Sequence, residues 1–315
     1  MKRHIIFMLA GAVLPLMRSL AAEAPATATP NCDRSCLYGV LDTYLTALKA
    51  RDTRKVAWAA HVRNTENNVE LRIGDGLWGT LTALDSYEMR FADPQTGQVA
   101  IFGVVQETSE RSPYAMRLKV VNRTVAEVET IVVRPSDAGI PFVTADIKPL
   151  PVWSEMLPPA LRSSRQRMID LANGYFDTLQ LNDGTLHTEF ADDCNRREDG
   201  MQSTNNVQAV LDPISKFGCA DQFRLGQYRY DDRLRDRRFL AVDEERGIVL
   251  AGGFIDHEGR LGEFKLTDGT TKTPIFRRPH SFVLLEAFKI RAGKIQQVEA
   301  AFITVPYNMP SPWMR

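Results

Sequence analysis

Gln98-Val-Ala-Ile-Phe-Gly-Val-Val105 and Gly247-Ile-Val-Leu-Ala-Gly-Gly-Phe-Ile255 are runs of one kind. Both are apolar and β-branched, and each follows an Asp-x3-Gly turn signal, Asp93 to Gly97 in one case and Asp243 to Gly247 in the other. Each reads as a strand. Working outward, the surroundings match as well. Upstream, Leu37, Val40, Leu41, Tyr44, Leu45 and Leu48 recur at helical spacing, as do Met168, Leu171, Ala172, Tyr175 and Leu179. A polar, turn-rich passage separates each helix from its strand run. Downstream, Tyr114–Val121 and Ala126–Val133 read as strands joined at Asn122-Arg123, and Ser281–Ile290 and Lys294–Thr304 as strands joined at Ala292-Gly293.

Self-alignment turns this likeness into a duplication. Leu41 to Leu45 matches Ala172 to Phe176 at an offset of 131, and Arg63 to Asn67 matches Asn195 to Asp199 at 132. Ala92 to Val99 matches Val242 to Val249 at 150, and Val128-Glu129 matches Val298-Glu299 at 170. The offset only grows, so the second copy carries insertions. Two copies are too few for a solenoid. A helix followed by a meander of long strands predicts an α+β module with helices on one sheet face, present twice in tandem. The expected organisation is a signal peptide over 1–22, a disordered tether over 23–31, a first module over 32–135, a Pro-rich linker over 136–162 and a second module over 163–313. Pro149-Leu-Pro-Val-Trp-Ser in that linker is expected to pack across both modules, and Gly252-Gly253 to bend its strand.

Export is read from the first residues. Lys2-Arg3-His4 precedes the apolar run Ile5–Leu16, and small residues follow at Ser19-Leu-Ala-Ala22. This is the layout of a secretory signal, too short for a comfortable permanent membrane anchor. Periplasmic or extracellular residence follows as the expectation. The four cysteines agree with an oxidising compartment, with Cys32–Cys36 and Cys194–Cys219 as the expected bridges, one per module. The spacing leaves other pairings open. A four-thiolate zinc site would need CxxC knuckles, which are absent. With 39 basic and 39 acidic residues the chain has no net charge, which argues against nucleic acid as a partner.

Several motifs carry a family resemblance. They are Cys32-Asp-Arg-Ser-Cys36-Leu37, Asn64-Thr-Glu-Asn67, Gly74-Asp-Gly-Leu-Trp78-Gly79, Phe91-Ala-Asp-Pro94, Cys194-Asn-Arg-Arg-Glu198, Arg237-Arg-Phe239, Val242-Asp-Glu-Glu-Arg-Gly247, Glu286-Ala-Phe-Lys-Ile290 and Val305-Pro-Tyr-Asn-Met-Pro-Ser-Pro-Trp313. Together they resemble the nuclear-transport-factor-2-like (SnoaL-like) superfamily, and within it a tandem-domain secreted family of fungi and bacteria of unknown function. The resemblance implies a cone in each copy, made of a curved antiparallel sheet wrapped around helices, with a pocket at the open end. Superfamily relatives include isomerases, dehydratases, hydrolases, cyclases and non-catalytic binding modules, so the fold leaves the activity open.

Candidate chemistry concentrates in the second copy. In the polar passage, Asn195, Arg196 and Glu198 offer a donor fork beside a carboxylate, repeated in the first copy as Arg63, Asn64 and Glu66. Asp256-His257, at the end of a strand run, supplies a histidine beside an acid, where the first copy has Gln106-Glu107. His280 opens the next strand and is a candidate to face His257. Tyr175 could donate a hydrogen bond into the cone. Glu286 shares its strand face with Phe282, Leu284 and Phe288, so its carboxyl must be paired or protonated, with Arg237 or Arg238 as the expected partner. The histidine spacing has no metal signature. GxGxxG before a helix, GxxxxGK[ST] and GxSxG are absent, so no cofactor is expected.

The expectation is an exported, cofactor-independent acid–base enzyme of isomerase, dehydratase/hydratase or lyase type, with its pocket in the second module. Glu198, Asp256 and His257 would be catalytic. Arg196, Asn195, Tyr175, His280, Arg63 and Glu66 would bind a small to medium, partly apolar molecule. The alternatives are a non-catalytic binding module and a purely structural first copy. Homodimerisation and pairing of the two modules within one chain are both open.

Overall fold

The computed structural model describes residues 32–140, 142–145, 147–208 and 213–314. The signal-peptide and tether expectations lie outside the described residues. The first module contains α1 (Arg34–Lys49), β1 (Trp58–Glu66), β2 (Val69–Glu70), α2 (Leu77–Thr80), β3 (Leu81–Asp93), β4 (Gln98–Glu107), β5 (Glu110–Val121) and β6 (Thr124–Val132). The second contains α3 (Arg165–Leu181), β7 (Phe190–Glu198), β8 (Met201–Gln202), α4 (Cys219–Arg224), β9 (Arg233–Asp243), β10 (Ile248–His257), β11 (Phe264–Lys265), β12 (Thr271–Lys272), β13 (His280–Arg291) and β14 (Lys294–Val305).

The two large sheets have the same strand order, β2-β1-β6-β5-β4-β3 and β8-β7-β14-β13-β10-β9. Two expectations need correction. The sheets are not purely antiparallel, because β1 runs parallel to β6 and β7 parallel to β14. Hairpin-linked neighbours must be antiparallel, but β1 and β7 are reached from a helix and join the last strand without a hairpin. The polar, turn-rich passages also contain strands, β1 to β3 in the first module and β7 to β9 in the second. β9 carries Arg233, Arg235, Arg237 and Arg238, and each of them meets an acidic partner. That pairing lets a strongly charged stretch join a sheet.

The two long helices, α1 and α3, each begin at a capping side chain. Asp33 accepts from the Cys36 N–H at 2.8 Å, and Ser164 accepts from the Arg167 N–H at 3.4 Å. Helix α1 lays Leu37, Leu41, Tyr44 and Leu48 on Val99, Ile101, Met116 and Val128. Helix α3 lays Met168, Leu171, Tyr175 and Phe176 on Val249, Ala251, Phe288 and Val298. Side chains alternate along a strand, so the opposite sheet faces are left with a second set of apolar groups. These pack on each other: Met89, Phe91, Phe102 and Ile131 meet Leu250, Phe254, Leu285 and Ile303, with the linker residue Trp153 among them. Each large side chain buried there contributes roughly 1.5–3 kcal/mol. The chain end returns to the first module, where Asn68 donates to the Pro310 carbonyl at 3.0 Å and the Arg117 guanidinium lies 4.5 Å from the Trp313 ring.

Candidate active site in the second module

Strand β7 turns Cys194, Arg196 and Glu198 to one side, as period-two geometry requires. Cys194 is bonded to Cys219 at the start of α4, so the disulfide ties the strand to the short helix that carries Gln222. Gln222 is fixed in turn by donating to the Ser203 carbonyl at 2.6 Å and the Ile214 carbonyl at 3.1 Å. Its side-chain oxygen then accepts from the buried Arg196 guanidinium at 3.0 Å. Arg196 also donates to the Tyr228 hydroxyl at 2.9 Å and pairs with Glu198. The guanidinium lies 5.1 Å from the Phe223 ring centroid and 5.2 Å from that of Tyr228. Its Nε has no protein partner although it is buried. A cation on aromatic faces, balanced by one carboxylate, is thereby held at the wall of a cavity.

His257 closes the other side. Its Nε2 is 2.8 Å from the buried Asp231 carboxylate, while its Nδ1 is buried without a partner. His257 and His280 are direct cross-strand neighbours, and their rings stack with centroids 4.4 Å apart. The His280 Nδ1 meets the Arg278 carbonyl at 2.9 Å. Burial lowers the pKa of His280, helped by the charges of His257 and Arg278. Burial raises that of Asp231 against the opposing pull of His257.

Between these groups lies a cavity of about 110 Å³. Arg196, Glu198, Asp231, His257, Glu286 and Tyr175 line it along with apolar groups that include Leu284 and Phe302. Glu286 is buried on the inner face of β13, and burial pushes its pKa up to about 8, with the Glu198 charge adding to the rise and Arg196 opposing it. At neutral pH this carboxyl is largely protonated and can donate a hydrogen bond.

The candidate residues therefore divide. Arg196, Glu198, His257 and Tyr175 line one cavity, with His280 stacked behind His257. Asp256 is a correction. Adjacent strand residues face opposite ways, and Asp256 is held by Arg233, Arg235 and Ser281 on the far face of β10. Asn195 likewise points away, donating to the Asp193 carbonyl and accepting from Asn205. In the first module, Glu66 accepts from the Leu77 N–H at 2.7 Å and pairs with Arg134, while Arg63 lies over Trp313. Both are occupied structurally. The expected partners of Glu286 are elsewhere, Arg237 on Asp177 and Arg238 on Glu129 of the first module. Asp231 is the residue that sequence reasoning missed. Its only signal is Tyr228-Arg-Tyr-Asp-Asp232, a turn before a charged strand.

The corresponding space of the first module is filled. Asn64 stands in the place of Arg196 and donates to the backbone carbonyls of Leu71 and Arg72. Trp78 donates to the Tyr44 hydroxyl at 3.1 Å, and Tyr44, Trp58 and Trp78 pack with centroids 5.3–6.2 Å apart. Tyr114 projects beneath Gly103, where a Cβ would strike its ring.

The family described as Domain of unknown function (DUF8021) matches residues 161–302, which span the second module from before α3 into β14. No curated protein matches the chain. Among solved structures, the chain is similar to a protein of unknown function with cystatin-like fold from Methylobium petroleophilum PM1, at 17% identity and TM-score 0.29, over 38% of this chain and 100% of that one. It is also similar to a proposed polyketide cyclase from Xanthomonas campestris pv. campestris, at 20% identity and TM-score 0.28, over 44% and 92% of the two chains. A third is AclR, a proposed hydroxylase from Streptomyces galilaeus, at 12% identity and TM-score 0.28, over 45% and 83%.

Proposed function

We propose that the second module is a cofactor-independent acid–base enzyme, exported from the cytoplasm, that acts on a small and partly apolar molecule. One observation carries this reading. A buried histidine has one ring nitrogen on a buried carboxylate and the other unpartnered, in a residue that lines the same cavity as a buried arginine. With Nε2–H directed at Asp231, the lone pair of Nδ1 is the base, and Asp231 stabilises the imidazolium that forms. The protonated Glu286 carboxyl and the Arg196 guanidinium donate to the substrate oxygen on which negative charge develops. A proton taken from carbon beside a carbonyl and returned elsewhere is an isomerisation. Loss of a leaving group from the next carbon is an elimination. Export is supported by the two disulfides, and no helix among the described residues is long and apolar enough to cross a membrane.

Size narrows the substrate. An apolar cavity of roughly 150 Å³ holds one benzene ring, so a space of about 110 Å³ suits a reacting group no larger than a small ring. The first module, with Asn64 for Arg196 and Glu107 for His257, is a structural partner. The test is incubation of a small-molecule extract with wild type, His257→Ala and Glu198→Gln, followed by mass spectrometry. Compounds consumed by wild type should persist with His257→Ala. Consumption that neither substitution slows would remove the site.

A further inference from the structure

The first module joins β4 to β5 through Thr108 and Ser109 alone, whereas 258–279 lies between the equivalent strands of the second. We infer that this insertion is the specificity element of the cavity and that Phe276 is the wall limiting its ligand to about one ring. The inference rests on the reading that the cavity takes a ligand.

The insertion is built as a fixed roof. It has a hairpin of its own, β11 with β12, and its Phe264 and Leu266 form an apolar cluster with Tyr230 from the turn before β9. It is tied to the end of α4 and the segment after it by three contacts. The Thr267 N–H donates to the Leu225 carbonyl at 3.1 Å, the Thr267 hydroxyl to the Arg224 carbonyl at 2.7 Å, and Lys272 to the Gln227 side chain at 2.6 Å. So anchored, it delivers Phe276 edge-on to His257 at 4.8 Å, to His280 at 5.0 Å and to Phe282 at 5.3 Å between centroids. The neighbouring Ile275 lines the cavity while remaining 56% exposed, which marks the mouth.

What lies behind Phe276 decides its role. The ring borders the cavity of about 110 Å³ on one side and, on the other, a depression of about 380 Å³ lined by Ala138, Gly139, Arg278 and Thr304. Removing the ring joins the two spaces, so a ligand one ring longer gains room without any change to Arg196, Asp231 or Glu286.

Calorimetric titration of the full chain with phenol and 2-naphthol, both uncharged at neutral pH, tests this. Wild type should bind phenol about tenfold more tightly than 2-naphthol, a difference of about 1.4 kcal/mol. Phe276→Ala should reverse the preference, and Phe276→Leu should shift it part of the way. Should the alanine variant lose its near-ultraviolet circular dichroism, the leucine variant decides. An unchanged phenol-to-naphthol ratio in the folded variant overturns the inference while leaving the cavity as a ligand site. Failure of both probes to bind any of the proteins overturns the ligand-site reading and the inference with it.

Discussion

Arg34, in the first turn of α1, grips the buried carboxylate of Asp243 at the end of β9 in the other module, with Nη2 to Oδ1 at 2.8 Å. Arg165, in the first turn of α3, holds Asp93 at the end of β3 in the same way, with Nη1 to Oδ1 at 3.2 Å. Each carboxylate also accepts a backbone N–H across the seam, Asp93 from Val242 at 2.9 Å and Asp243 from Ala92 at 3.5 Å. The Asp-x3-Gly signals that mark the strand runs thus also lock one module to the other. Removing one partner of a fully buried ion pair costs about 3 kcal/mol or more. Since Arg34 is partly exposed and keeps Glu245, the cost here is about 1–3 kcal/mol. Asp243→Ala should lower the stability measured by urea unfolding by that order, and a change under about 0.5 kcal/mol, the range of ordinary surface substitutions, would show that the lock contributes nothing.

Asp199 mimics an amide. In the first module Asn67, with φ 52°, accepts from the Val132 N–H at 2.8 Å and donates to the Val132 carbonyl at 3.0 Å. Asp199, with φ 48°, accepts from the equivalent Phe302 N–H at 3.0 Å, and its second oxygen is buried without a partner. Burial raises the Asp199 pKa well above the usual carboxylate range. Its contribution to stability is full below the unfolded-state value of about 3.9 and is lost as pH rises towards the folded value. Asp199→Asn should stabilise the protein by about 1 kcal/mol at pH 7, with no gain at pH 3. Thermal unfolding at the two pH values measures this.

Glu286 gives a second pH window. Its contribution is full below about 4.3, the unfolded-state value, and is lost as pH rises through about 8. Glu286→Gln should flatten the stability profile across that interval. An unchanged slope would mean that the carboxyl is already ionised at neutrality.

The disulfides differ in reach. Cys194–Cys219 spans 25 positions and Cys32–Cys36 spans 4. By chain entropy, removing the long bridge costs about 3.5 kcal/mol and removing the short one about 2 kcal/mol. Replacing Cys194 and Cys219 by serine should also weaken phenol binding, since the bridge fixes α4 and thereby the Gln222–Arg196 contact. Equal losses of stability from the two pairs would contradict the ranking.

Much of the fold was legible in sequence, and the reason is periodicity. Leu37 to Leu48 and Met168 to Leu179 repeat as one helix face, and Gln98–Val105 and Gly247–Phe254 are buried on both sides, so their runs carry almost no polar residue. β9 lies in a polar, turn-rich passage of the sequence because Arg233, Arg237 and Arg238 pair with acids distant in sequence, a compensation that no local window displays. The pairing of His257 with Asp256 was a failure of another kind. Period two already places those neighbours on opposite faces, and Asp231 reaches His257 only through the path taken by the chain after α4.

The rate with His257→Ala, on whichever compound wild type consumes, tests the central claim most directly. General acid–base catalysis contributes about 10²–10⁴-fold, so the account predicts a loss in that range with the fold intact, and a smaller loss for Asp231→Asn. A rate within about twofold of wild type, well below any such contribution, would contradict the claim and move the chemistry out of this cavity.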